Sequence, residues 1–320
     1  MTPIPTPAAG AGPIADVSYR NYNGPLQTRA IRWWIVVVAG SRLILRRPGF
    51  WIVFALALLP YLWEGGMLYM RSQGWFSNMP MLAEYPAGQK YAASFFSALD
   101  MQWLWLFVVA LMVGAGSIAA DNRTNALLVY LSRPLTKGDY LLGKWMGIFL
   151  AVFSVAIIPA LVLYLFCLIS FLNEGFLKDE PWLLPRILGA AAVPAAVHAS
   201  LLVGFSAWSK TPRVAGASYA ALFFVGQLIT GAVWLIRHRG DLGGGILTQH
   251  LSVGGTIKGL AQNIYGITRL IPTGHRERGF EIVEMPPPDL GVLLVIAVAL
   301  VLLGVAAARA KIRAVEVIRG

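Results

Sequence analysis

The chain has 320 residues, 57% of them hydrophobic and only 13% charged, with a formal net charge of +11. Soluble domains average about half apolar and a quarter charged, so this balance excludes an ordinary soluble protein and identifies an integral membrane protein. A single cysteine, Cys167, excludes an internal disulfide.

In chain order, residues 1–28 hold four prolines before Gly24 and little apolar periodicity, and read as a flexible cytoplasmic tail. No basic start leads into a short apolar core, which argues against a cleaved secretion signal. Residues 29–47 read as an amphipathic helix. At 100° per residue, Arg29, Arg32, Arg42, Arg46 and Arg47 fall within an arc of roughly 140°, with Trp33, Trp34, Val37 and Val38 on the other side. Such a helix is expected to lie in the membrane interface, its tryptophans at headgroup depth and its arginines toward anionic lipid. Pro48-Gly49 then turns the chain into the first span.

Residues 48–320 form the membrane domain. About 20 helical residues cross the hydrocarbon core, and six nearly uncharged runs meet that length: Trp51–Met70, Gln102–Ala119, Gly147–Leu172, Ile187–Ala207, Ala215–Ile236 and Leu290–Ala308. The expected fold is therefore all-α, a polytopic membrane protein with six transmembrane helices and the N-terminal interfacial helix. Arg71–Met101 reads as an outer loop. Pro159 and Pro194 read as kinks within spans three and four, and Gly189, Ala190, Ala191, Ala192, Ala195 and Ala196 permit close helix contact along span four. His198 is the one histidine deep in a span, and its default reading is a packed, neutral side chain. Residues 237–289 make the longest segment outside the spans. Leu247–Ile271 suggests re-entrant or surface helices there, and Glu281–Met285 a short strand.

The basic surplus is a topology signal. With the N-terminus inside, the inner segments carry sixteen Lys/Arg against four acids, and the outer ones ten against eleven. That bias puts both termini in the cytoplasm and makes lipid, not nucleic acid, the partner of the positive charge. No Gly-x-x-x-x-Gly-Lys-Ser/Thr occurs, so nucleotide is not bound by that route. The four histidines lack ligand spacing and there is no cysteine pair, so no metal site is expected. Gly204-Phe205-Ser206-Ala207 resembles half of a serine-nucleophile motif. Its candidate base His198 lies eight residues away, ~12 Å along one helix, too far to take a proton.

The one conspicuously polar stretch between two long apolar runs is 120–144. Leu127, Leu128 and Leu131 form a short apolar patch behind Asp121 and Arg123. Arg133-Pro134 breaks the helix, and Thr136 with Asp139 three residues on is a capping signal for a new helix. This stretch resembles the first cytoplasmic loop of type-2 ATP-binding-cassette (ABC) exporter permeases, which have a similar acid, leucine-rich short helix, Ser-Arg-Pro-like corner and Tyr-Leu-x-Gly-Lys-like entry to the third span. Here these are Asp121, Leu127-Leu128-Val129-Tyr130-Leu131, Ser132-Arg133-Pro134 and Tyr140-Leu141-Leu142-Gly143-Lys144.

The resemblance implies a half-transporter. Two permease chains, identical or not, would pair with separate ATPase subunits that bind the ATP, and this chain would hold no cofactor and no catalytic residue. Leu127, Leu128 and Leu131 would anchor the coupling helix in the ATPase. Asp121, Arg123 and Arg133 would make polar contacts to the ATPase or to the interfacial helix, Pro134 would set the corner, and Asp139 would cap the next helix. The implied cargo is hydrophobic or amphipathic, moved between spans two and five in the cell inner membrane, with 237–289 as the outer gate. A non-transporting membrane scaffold, or less plausibly an intramembrane serine protease using Ser206, are the alternatives.

Overall fold

The computed structural model describes residues 32–75, 89–124, 136–239, 247–275, 279–285 and 287–312. Helices α1 (Arg32–Leu45) and α2 (Pro48–Ser72) open the chain, followed by α3 (Lys90–Gly114), α4 (Ala119–Arg123), α5 (Lys137–Phe171) and α6 (Phe176–Asp179). Then come α7 (Leu183–Trp208), α8 (Pro212–Arg239), a 3₁₀ turn at Leu247–His250, α9 (Val253–Tyr265) and α10 (Leu290–Lys311). Among the described residues, six helical stretches are long and apolar enough to cross a membrane: α2, α3 with α4, α5, α7, α8 and α10. These are spans one to six, one for each predicted run, and the protein is a multi-pass membrane protein.

The helices outrun the apolar runs because polar residues continue them beyond the hydrocarbon. The largest difference is in the stretch expected to be an outer loop. Residues 90–101 are the first three turns of α3, with Tyr91, Phe95, Ala98 and Leu99 buried. Ser94, Ser97 and Asp100 interrupt the apolar run, yet Ser97 donates to Glu64 Oε1 at 2.6 Å and Asp100 pairs with Lys258. An acid inside a span needs such a partner.

Two devices hold the first three spans together. Pro159 lacks an N–H, so the Val155 carbonyl four residues back loses its helical donor. Gln102 Nε2, fully buried on span two, donates to it at 2.9 Å and also to Ala57 O of span one at 3.0 Å. Glu180 reaches from the loop after α6 to the start of α3, accepting from Ala92 N at 2.8 Å while Arg186 lies 3.4 Å from its other oxygen. It thereby satisfies one of the free N–H groups at a helix start. Burial pushes its carboxyl above the ordinary carboxylate range, against the lowering pull of the Ala92 N–H and Arg186.

Span four is the central element. Buried residues make up 72% of its apolar window, against 17% for span five and 11% for span six. Its small residues do what their size suggests: Ala190, Ala191 and Ala195 are buried, and a Cβ on Gly204 would lie 2.8 Å from Gly304 O of α10. In return, a Cβ on Gly304 would lie 2.3 Å from Ser200 O, so the two helix backbones touch at this crossing.

The segment after span five holds α9, closed at Gly266 with a left-handed φ of 68°. Beyond it Arg269–His275 pairs antiparallel with Gly279–Met285, from Arg269 opposite Met285 to His275 opposite Gly279. This hairpin is the one β element among the described residues and includes the predicted Glu281–Met285 strand; the spans themselves are all helical.

Candidate functional site

The stretch 120–144 is visible at both ends. Residues 125–135, with Leu127, Leu128, Leu131, Arg133 and Pro134, lie outside the described residues, as do Arg29 and the tail 1–28. What the structure places is the frame around them.

The first arm comes off span two. After Gly114, α3 gives way to a turn at 115–118, and the chain restarts as α4. The break is held by Ser206 of span four, whose Oγ accepts from Ile118 N at 3.0 Å and Ala119 N at 2.9 Å and donates to Ala115 O at 2.9 Å. Asn122 Nδ2 adds a bond to Ala207 O at 3.3 Å. Ser206 is thus the staple of a broken helix, which accounts for its burial without a nucleophile. His198, two turns back on the same helix, is hydrogen-bonded through Nδ1 to the Tyr219 hydroxyl in a ring cluster with Phe107 and Phe223.

The second arm is the start of α5. Thr136 and Asp139 form the predicted capping box: Asp139 N donates to Thr136 Oγ1 at 3.1 Å and Thr136 N to Asp139 Oδ2 at 3.2 Å. Tyr140 and Lys144 follow, four residues apart and so on one face. Both reach Asp121 Oδ2 at 2.7 Å, the phenol donating and the ammonium forming an ion pair. Lys144 also lies 5.4 Å from the Tyr140 ring centroid. Tyr140 is fully buried, and the two charged side chains are 17% and 19% exposed. One carboxylate oxygen therefore ties the end of span two to the start of span three across the intervening loop.

The third arm is α1. Its Val37 is buried, and Trp33 and Val36 lie over Gly143 of α5, where a Cβ would fall 2.7 Å from Val36 Cβ and 2.8 Å from Trp33 O. The apolar side predicted for this helix is thus divided. Val36 and Val37 turn toward the spans, Trp33 is half-buried, and Trp34 stays 45% exposed. Arg42 and Arg46 are exposed, and Arg32 is half-buried.

Of the predicted polar contacts, Asp121 is engaged inside the chain, Arg123 is exposed, and Asp139 caps α5. Sequence reasoning missed the partners of Asp121, although the signal existed. A tyrosine and a lysine at i and i+4, just past a cap and opposite a lone acid, share one helix face.

The residues from the tail through span five, 14–238, match the family described as ABC-2 family transporter protein. The match covers more than two thirds of the chain. This protein belongs to the ABC-2 transporter family. No curated protein matches the chain. As a member of that family it is a membrane transport component, a permease and not itself a catalyst, and the three braced arms lie wholly within the matched residues.

Proposed function

We propose that this chain is the permease subunit of an ATP-binding-cassette exporter. It works as a dimer with a second permease chain and is driven by ATP bound and hydrolysed in a separate subunit. The observation that carries the reading is the Asp121–Tyr140–Lys144 junction. It stiffens both ends of 125–135, as a lever that passes motion from a partner to the spans would require. Leu127, Leu128 and Leu131 seat in the ATPase, Arg123 and Arg133 make polar contacts at its rim, and Pro134 sets the angle. Helix α1 lies in the cytoplasmic interface of the inner membrane, with Arg42 and Arg46 toward lipid phosphates and both termini inside.

Cargo passes between the permeases along spans two and five. Support comes from their exposed aromatic and aliphatic surface, where Trp103 stacks on Phe223 at 5.9 Å and Phe224 and Leu228 stay open. Such a surface suits a hydrophobic or amphipathic substrate. Helix α9 closes the outer end, bonded to span five by Ser252–Gln227, to span two by Lys258–Asp100 and to the start of span six by Asn263–Pro288.

The test is mild-detergent purification from the native host with assay of co-purifying ATPase. A stoichiometric nucleotide-binding subunit is expected, with its stimulation lost in Leu128→Asp and Arg133→Glu while membrane insertion persists. Wild-type stimulation in both variants would overturn the coupling role.

A further inference from the structure

Midway along spans two and five stand two aromatic rings that the bundle leaves open. Trp103 is 40% and Phe224 42% exposed, with ring centroids 6.4 Å apart and planes at 73°, so they form a corner. Buried rings fix it from behind: Phe223 stacks on the indole at 5.9 Å, and Phe107 lies 5.2 Å from Phe224. Trp103 sits about 16 Å or more along α3 from either end, far from the headgroup belts that tryptophan favours. Membrane anchoring therefore does not account for an open indole at this depth.

One turn nearer α9 on each helix, a polar side chain stands over the corner. On α3 it is Asp100, three residues before Trp103 and on the same face, ion-paired with Lys258 of α9. On span five it is Gln227, three residues after Phe224, whose Oε1 accepts from the Ser252 hydroxyl at 3.1 Å. Spans two and five run in opposite directions, so both polar positions lie toward the same end, and α9 engages both. The side chains of Asp100 and Lys258 keep 33% and 28% of their surface exposed.

A partly exposed carboxylate beside open rings is the recognition chemistry of a cation. Ring faces carry negative potential and attract cations within about 6 Å, tryptophan most strongly, while they disfavour an anion. Lys258 already shows the mode: its ammonium pairs with Asp100 and lies 6.0 Å from the Phe96 ring centroid.

We infer that Asp100, Trp103 and Phe224 form a recognition site for an amphiphilic organic cation, whose carboxylate Lys258 occupies until cargo arrives. This narrows the hydrophobic or amphipathic cargo proposed above and rests on that reading. The cargo's cationic group exchanges with Lys258 at Asp100, and its apolar part lies against the two rings. The long lysine stem carries the displaced ammonium toward water. Helix α9 then loses its ion pair to span two while it keeps the Ser252–Gln227 bond to span five.

The test uses the full chain in phosphatidylcholine nanodiscs with tetraphenylphosphonium as probe. Tetraphenylborate, of the same shape and opposite charge, is the control, and uptake by empty nanodiscs is subtracted. Saturable phosphonium binding is expected, and none of the borate. Asp100→Asn should weaken it about tenfold or more, and Trp103→Leu or Phe224→Leu about fivefold each. Lys258→Met should act in the opposite sense and tighten binding about threefold, because it removes the tethered competitor. A purely structural latch predicts instead that Asp100→Asn and Lys258→Met, which break the same pair, shift binding alike.

Equal shifts in those two variants, equal affinity for the borate, or absence of saturable binding would overturn the proposal. So would disulfide formation between two copies at Trp103→Cys, in a Cys167→Ala background, that the phosphonium does not slow, since a second copy would then cover the corner. None of these readouts uses an ATPase partner, so the site and the exporter reading fail separately.

Discussion

Replacing Asp121 by asparagine tests whether the stretch 120–144 is braced or merely tethered. The carboxylate oxygen takes a phenol and an ammonium, each at 2.7 Å, with both charged side chains less than a fifth exposed. Hydrogen bonds to charged groups contribute about 1.5–3 kcal/mol. Asparagine keeps an acceptor for Tyr140 but loses the charge attraction for the mostly buried Lys144 ammonium. The expected cost is about 2 kcal/mol, a roughly 30-fold rise in local opening of the α5 start. Hydrogen exchange by mass spectrometry reads it directly. Amides of residues 141–146 should exchange about 30-fold faster, while those of 152–160, deep in span three, stay unchanged. A cycle with Lys144→Met should show strong coupling between the two positions. Exchange at wild-type rates, or a cycle additive within about 0.5 kcal/mol, would refute the brace.

Other consequences follow from the packing. Gly304→Ala puts a methyl 2.3 Å from the Ser200 carbonyl, on backbone that cannot rotate away, and should destabilise the protein by about 1–3 kcal/mol in detergent unfolding. Gly147→Ala, with nothing within 4 Å of its Cβ, should instead be neutral or stabilising by about 0.5–1 kcal/mol; equal losses would refute the crossing geometry. Lys258→Met should loosen α9 from span two and speed exchange of α9 amides about fivefold. The swap of Asp100→Lys with Lys258→Asp should restore protection, and failure to do so would count against a direct latch.

Glu180 gives a pH signature. Its carboxyl is held above the ordinary range in the fold, so the folded protein binds that proton more tightly than the unfolded chain. Its contribution is complete below the ordinary carboxylate pKa and is lost as pH rises through the shifted value. Glu180→Gln keeps an acceptor for Ala92 without the charge. Thermal unfolding of wild type and variant should therefore coincide near about pH 4 and diverge toward about pH 8, the variant gaining. Parallel curves would sink the argument.

The membrane class, the six spans, the capping box at Thr136 and the polar stretch that resembles a permease loop were all legible in the sequence. Each is a local property: hydropathy over about twenty residues, or a hydroxyl and an acid three apart. The tight crossing of span four was half legible, since small residues announce that something comes close but not what. Only the tertiary structure decided the partners. Glu64 and Asp100 meet their partners Ser97 and Lys258 across 33 and 158 residues of sequence. Ser206 looked like half a nucleophile until the turn at 115–118 took its hydroxyl. The α3 start escaped the sequence because its polar side chains are satisfied by other helices. The physical reason is common to all of these. In hydrocarbon a polar group must find a partner, and which partner it finds depends on how helices distant in sequence come to lie side by side.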